Sequence, residues 1–374
     1  VTIALKIFMS YFQFVSVVKA LDLDMPGGTG DLFEAQETIG AVGPGLLSLD
    51  CALGAYDMPA TPLFYRTFFA YLMLPVVFIM FFGVIWTGQY YYRLKKAGHW
   101  LTENETWTKA KRAKLKRHKA SGFIVSLIVS LFLVQPSLTK TTFSVYDCTE
   151  LDKGSSWLQM SMDVDCSTVT YYTWTGFAGS LALFFYVFGI PGFAYLVLRK
   201  NHKHLHEPKK RATFGFLTNG YNLQRAWYWE VVVMLRKTGI VAVGVVFRPL
   251  GPQTQCVATL MLILICIVLH VTKRPYDFQL LHDLDLGGLI VSLVTILFVL
   301  LFLNIKDKPN LDTNTRLGIG TLVILINTVF MIWFVEKVWT SVKAKLKGMV
   351  KNIPGAAPKK AKTMEPTADK PTRC

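Results

Sequence analysis

The chain has 374 residues, 52% of them hydrophobic, with a mean hydropathy of +0.38 and a formal net charge of +16. Its apolar residues come in runs of roughly 17–25, the length that crosses ~30 Å of hydrocarbon as helix, which excludes an ordinary soluble domain. The cations sit beside these runs, where orientation in the bilayer and attraction to anionic inner-leaflet lipid explain them, and nucleic acid is excluded as their partner.

The pattern predicts an all-α polytopic bundle over 1–341 and a basic, disordered cytoplasmic tail over 342–374. Eight spans are expected, near 2–19, 67–87, 119–140, 174–198, 228–248, 253–272, 285–304 and 317–340. The first, "VTIALKIFMSYFQFVSVVKA", has two readings. Val18 and Ala20 stand at positions suited to signal-peptide cleavage. Gln13, however, interrupts the apolar core and shares a helical face with Lys6, a polar stripe that suits a span packed on other helices.

The connections alternate in charge. Loop 20–62 has no Lys or Arg and seven acids; loop 88–118 has nine Lys/Arg, dense in "KAKRAKLKRHK". Loop 141–170 carries only Lys153 against five acids, whereas loop 199–227 has seven Lys/Arg and the tail is again Lys-rich. The positive-inside rule places the basic loops, the tail and both ends of the chain in the cytoplasm. Cys51, Cys148 and Cys166 then fall outside, where oxidation is permitted, and the plasma membrane or secretory pathway is the expected location. Cys148 and Cys166 share one loop and are either disulfide-bonded or two free thiols. Cys256 and Cys266 fall within a span, as packing residues.

Three spans contain proline: Pro75, Pro136 and Pro191. Each removes a backbone bond and can kink its helix. Gly189, Pro191 and Gly192 form the candidate hinge. The loop motif "NHKHLHEP" alternates His202, His204 and His206, read as solvated loop in place of a metal site. With no Gly-rich phosphate loop, no Ser/His/Asp arrangement and no H-E-x-x-H, neither an enzyme nor a bound cofactor is expected.

The fifth span, "WYWEVVVMLRKTGIVAVGVVF", carries Glu230, Arg236 and Lys237, although a cation at mid-bilayer costs about 2.5–3.5 kcal/mol or more. Glu230, Met234, Lys237, Val241, Gly244 and Arg248 share one face. The charges therefore form an internal polar site, lie on an interfacial helix over 219–237, or snorkel. Candidate partners are Asp283 and Asp285 at the inner mouth of the seventh span and Asn327 midway along the eighth. A permeant anion or a lipid headgroup in a hydrated cavity is also possible. The aspartates have a plainer role as N-terminal caps.

Several segments occur in a familiar order: "LKIFMSYFQFVS", "LLSLDCAL", "YDC" followed by "DVDC", "YVFGIPGFAYLVL", "YWEVVVMLRKTGIV" and "TKRPYDFQLLHDLDL". In these the chain resembles the C-terminal multi-pass domain of large protist, algal and fungal surface proteins grouped with TRP-like (polycystin-like) channels. The resemblance implies a channel-like or mechanosensory role. It lacks a recognisable selectivity-filter loop, and the outer connections after residue 248 are short. The expected function is a TRP-like cation channel or channel-related sensor. It would handle inorganic ions, rest on anionic lipid and be open to oligomerisation. The alternatives are a seven-span receptor after loss of residues 1–20, and a lipid scramblase or transporter.

Overall fold

The computed structural model describes residues 2–20, 62–98, 105–152, 154–306 and 313–351. Cys51 with its acidic loop, and the tail beyond 351, lie outside them, as do the side chains of Gln13, Val18 and Ala20. Helix α1 spans Thr2–Ala20, α2 Leu63–Gly98 and α3 Glu105–Ser144. Strands β1 (Cys148–Asp152), β2 (Ser155–Leu158) and β3 (Ser161–Asp165) follow. A helical rod, α4, then comprises α-helical Val169–Trp174, π-helical Thr175–Gly179, α-helical Ser180–Ala182, π-helical Leu183–Phe188 and α-helical Gly189–Asn201. After it come α5 (Pro208–Thr218), α6 (Trp229–Val246), α7 (Pro252–Lys273), α8 (Gln279–Lys306) and α9 (Thr313–Lys351).

Among the described residues, six helical segments are long and apolar enough to cross a membrane: Leu63–Lys96, Lys111–Ser144, Val169–His204, Pro252–Lys273, Gln279–Leu303 and Leu317–Ala344. Their outer faces are apolar: Val77, Met80 and Phe81 on α2, Phe184 and Phe185 on α4, Ile265 on α7 and Ile332 on α9 are all exposed. Contiguous exposure of that kind belongs in lipid, and the chain is an integral membrane protein. Two of the eight expected spans are not among the six. In α1 the described apolar stretch is only Ile3–Phe12. In α6 three ionisable residues share an 18-residue helix.

The largest core joins α1, α6, α7, α8 and α9 through residues such as Phe12, Trp229, Ile263, Leu284, Ile296 and Phe330. Helix α6 is central and packs on α1, α3, α4 and α7. Next to it, α2 and α3 pair closely because Gly122 has no side chain; a Cβ there would lie 2.3 Å from Trp86.

The sequence reading missed the strands. They form a three-stranded antiparallel sheet in the order β1-β2-β3, and Cys148 is disulfide-bonded to Cys166 just beyond β3. Polar alternation over such short strands is masked by Ser, Asp and Gly, so the segment reads as loop. The sheet packs Leu158 and Val164 against Phe64, Tyr65 and Phe68 of α2. Arg248 Nε reaches Asp147 Oδ1 at 3.2 Å, tying the turn after α6 to this unit.

The proline expectations divide. Pro75 and Pro136 lie inside unbroken α-helices. Pro191 lacks the N–H that would bond Val187, and the turn it would have closed is part of the wide Leu183–Phe188 π stretch. Gly189 keeps helical angles, φ −67° and ψ −42°, and Gly192 faces open space. The Gly189–Pro191–Gly192 segment is continuous helix.

Candidate functional site

Helix α6 begins at Trp229 and continues without a break to Val246. At 1.5 Å per residue it is about 27 Å long, and the bend expected near Thr238 for an interfacial helix is absent. Its charged residues are buried by protein: Glu230 is 1% exposed, Arg236 6% and Lys237 7%.

Each has different surroundings. Glu230 Oε2 lies 3.3 Å from Lys6 Nζ of α1 and accepts a 2.9 Å hydrogen bond from the Tyr221 hydroxyl. Lys6 also donates to the backbone carbonyl of Phe216 and sits 3.8 Å above the Phe216 ring. Arg236 Nη2 donates to Asp285 Oδ1 of α8 at 3.3 Å. The other carboxylate oxygen of Asp285 accepts from the Tyr276 hydroxyl at 3.0 Å and lies 3.3 Å from His270 Nδ1 of α7. His270 in turn stacks on His282, ring centroids 4.4 Å apart. Burial, reinforced by Glu230, pushes the Tyr221 phenol well above its ordinary value. Burial and Asp285 do the same for Tyr276, so both phenols stay protonated and act as donors.

Lys237 forms no ion pair with either aspartate among the described residues. Its ammonium lies 5.2 Å from the centroid of the Phe132 ring, a ring that Lys6 also approaches at 4.6 Å. Such cation–π contacts are worth roughly 0.5–2 kcal/mol each. The expected partnership of both cations with Asp283 or Asp285 is corrected accordingly: of the two cations, it is Arg236 that pairs with an aspartate among the described residues, and that aspartate is Asp285. Asp283 is exposed and accepts from Gln279 Nε2 at 2.7 Å. Neither aspartate caps the helix, since α8 starts at Gln279.

Asn327 belongs to a separate link. Its amide nitrogen donates to Thr295 Oγ1 at 2.9 Å and its oxygen accepts from the Tyr11 hydroxyl, joining α9 to α8 and α1. On the far side of α6, Gln135 Nε2 donates to Thr238 Oγ1 at 3.1 Å.

A cavity of about 10 Å³ lies among Lys6, Glu230, Arg236, Tyr276 and Asp285, close to the ~10–15 Å³ that admits one water. A second, open cleft of about 330 Å³ lies on the other side of Tyr221. The histidine trio diverges: His202 stacks on Trp227, His204 Nδ1 meets Glu207 at 2.8 Å, and His206 lines the open cleft.

Sequence reasoning overlooked Tyr221, Tyr276, His270 and His282 as members of the network. The signal lay in the short connections. Tyr221 follows the end of α5 and Tyr276 the basic end of α7, and their backbones form an antiparallel bridge that no local pattern announces.

No family model matches the chain, and no solved structure matches it. The chain is similar to "Cysteine repeat modular protein A" of Toxoplasma gondii, 25% identical over 335 aligned residues that cover 76% of this chain. The match spans 11% of that relative's length.

Proposed function

We propose that the chain is the membrane portion of a TRP-like, channel-related sensor, and that the buried charge network around α6 is its latch. The observation that carries this is the pair of ion contacts, Lys6–Glu230 and Arg236–Asp285, holding α1, α6 and α8 together, with His270 adding α7. Ionisable groups inside a membrane bundle are costly and mark functional elements by default. Buried ion pairs also stabilise poorly for their desolvation cost, so their value lies in selecting one helix arrangement. A one-water cavity supports a closed gate in place of a standing conduit.

In this reading α1 and α6 complete eight spans, with the basic loops against the inner leaflet and both described ends cytoplasmic. The likeness to a modular protist protein of far greater length agrees with a larger surface protein carrying this domain. The receptor alternative fits less well. Loss of residues 1–20 would take Lys6 and Tyr11 out of the contacts they make with Glu230 and Asn327.

Reconstitution into planar bilayers tests the proposal: cation conductance under voltage, stretch or lipid challenge is expected. A protein that inserts correctly yet conducts under none of these would overturn it.

A further inference from the structure

We propose that the 330 Å³ cleft beside Tyr221 binds a phosphorylated polyol, a phosphomonoester that also carries free hydroxyls. His206, Arg211 and Asn219 line it from the α5 side, Asn222 and Gln224 from the following turn, and Asp277 from the connection before α8. Arg211 gives only its Nε to Asn219 Oδ1, at 3.3 Å. Its two terminal nitrogens have no protein partner among the described residues. The same is true of the His206 imidazole, the Gln224 carboxamide and the Asp277 carboxylate.

That donor set fixes the chemistry. A guanidinium fork beside an imidazole matches two oxygens of a phosphate. The carboxamides of Asn219, Asn222 and Gln224 can donate to phosphate or hydroxyl oxygens, whereas the single carboxylate of Asp277 accepts from hydroxyls and repels a phosphate. The volume, near the lower end of the ~300–1,000 Å³ typical of small-ligand sites, suits one ring and its phosphate.

The cleft wall is mechanically joined to the buried network. Asn222 N donates to the Pro275 carbonyl at 2.7 Å and Asp277 N to the Gly220 carbonyl at 3.0 Å. These bonds hold Tyr221 and Tyr276 with their rings 5.1 Å apart, one hydroxyl on Glu230 and the other on Asp285. A ligand gripping Asn222 and Asp277 therefore pulls on both halves of the network. Binding stands independently of the channel reading; only its regulatory consequence rests on that reading.

The test uses the full chain in phosphatidylcholine nanodiscs, titrated calorimetrically with inositol 1-phosphate and with inorganic phosphate. Saturable binding is expected, tighter for inositol 1-phosphate. Arg211→Ala should weaken both by about tenfold, about 1.4 kcal/mol. Asp277→Asn should weaken inositol 1-phosphate and spare inorganic phosphate. Both side chains are exposed, and gel filtration reports that the variants remain folded. Phosphatidylinositol 4-phosphate placed in the nanodisc identifies the source. Blocked titration assigns a lipid headgroup and unblocked titration a soluble compound. Absence of saturable binding, or binding indifferent to Arg211→Ala, overturns the proposal. Ligand binding by a chain that never conducts would leave the site standing and sink the channel reading.

Discussion

The two aspartates of "LHDLDL" lie two residues apart, so α8 carries one into the bundle and the other out of it. Asp285→Asn leaves Arg236 buried without its counter-charge, a loss of about 3–5 kcal/mol. Thermal unfolding in detergent should show a large drop for that variant and almost none for Asp283→Asn, whose carboxylate is exposed. Period-3.6 reasoning named the helix and the cations; it left both aspartates open because rotation about α8 is set by packing, not by local pattern. Lys6 was visible as half of a polar stripe, but its pairing with Glu230 spans more than two hundred residues and has no sequence signal.

On the opposite side of the bundle, burial raises the Asp147 carboxyl above its ordinary value, and Arg248 only partly offsets this. A raised folded-state value means the folded chain binds the proton more tightly. Asp147's stabilising effect is therefore complete below the ordinary ~3.9 and fades as pH rises through the raised value. Replacing Asp147 with Asn should remove that pH dependence from unfolding of the sheet-containing unit. Arg248→Gln should move it to higher pH. A melting profile unchanged by Asp147→Asn would contradict the assignment.

At the scale of elements, the three-stranded sheet and the π-helical rod are where pattern reading failed. The three strands are too short to alternate clearly, and the disulfide substitutes for a core of their own. Reduction, or Cys148→Ser, should cost about 2–4 kcal/mol by freeing the chain between residues 148 and 166. Limited proteolysis should then cut within 149–165 while the spanning helices stay intact. In α4, proline and glycine were both legible as helix-weakening residues. Around them the rod carries wide π-helical turns. Helix α3 carries its own positional requirement at Gly122. Gly122→Leu forces Trp86 away and should separate α2 from α3, read out as loss of a disulfide engineered between them.

For the whole molecule, hydropathy gave the helical bundle and, of the eight expected spans, the six long apolar helices among the described residues, since lipid exposure dictates composition directly. What it could not give is how a charged helix is sheltered, which depends on α1, α7 and α8 arriving from distant parts of the chain. If the Arg236–Asp285 pair serves arrangement more than stability, replacing both with Met and Leu should restore folding lost in Asp285→Asn. The double variant should nonetheless conduct with altered gating; wild-type gating would remove the pair from the mechanism.

The most direct measurement is side-specific labelling of single cysteines placed along 228–248 in intact membranes. The account predicts that position 228 reacts only from the inner face and position 248 only from the outer, with 233–240 protected throughout. Uniform reactivity from one face would contradict it, placing α6 along the headgroups and its charges in water.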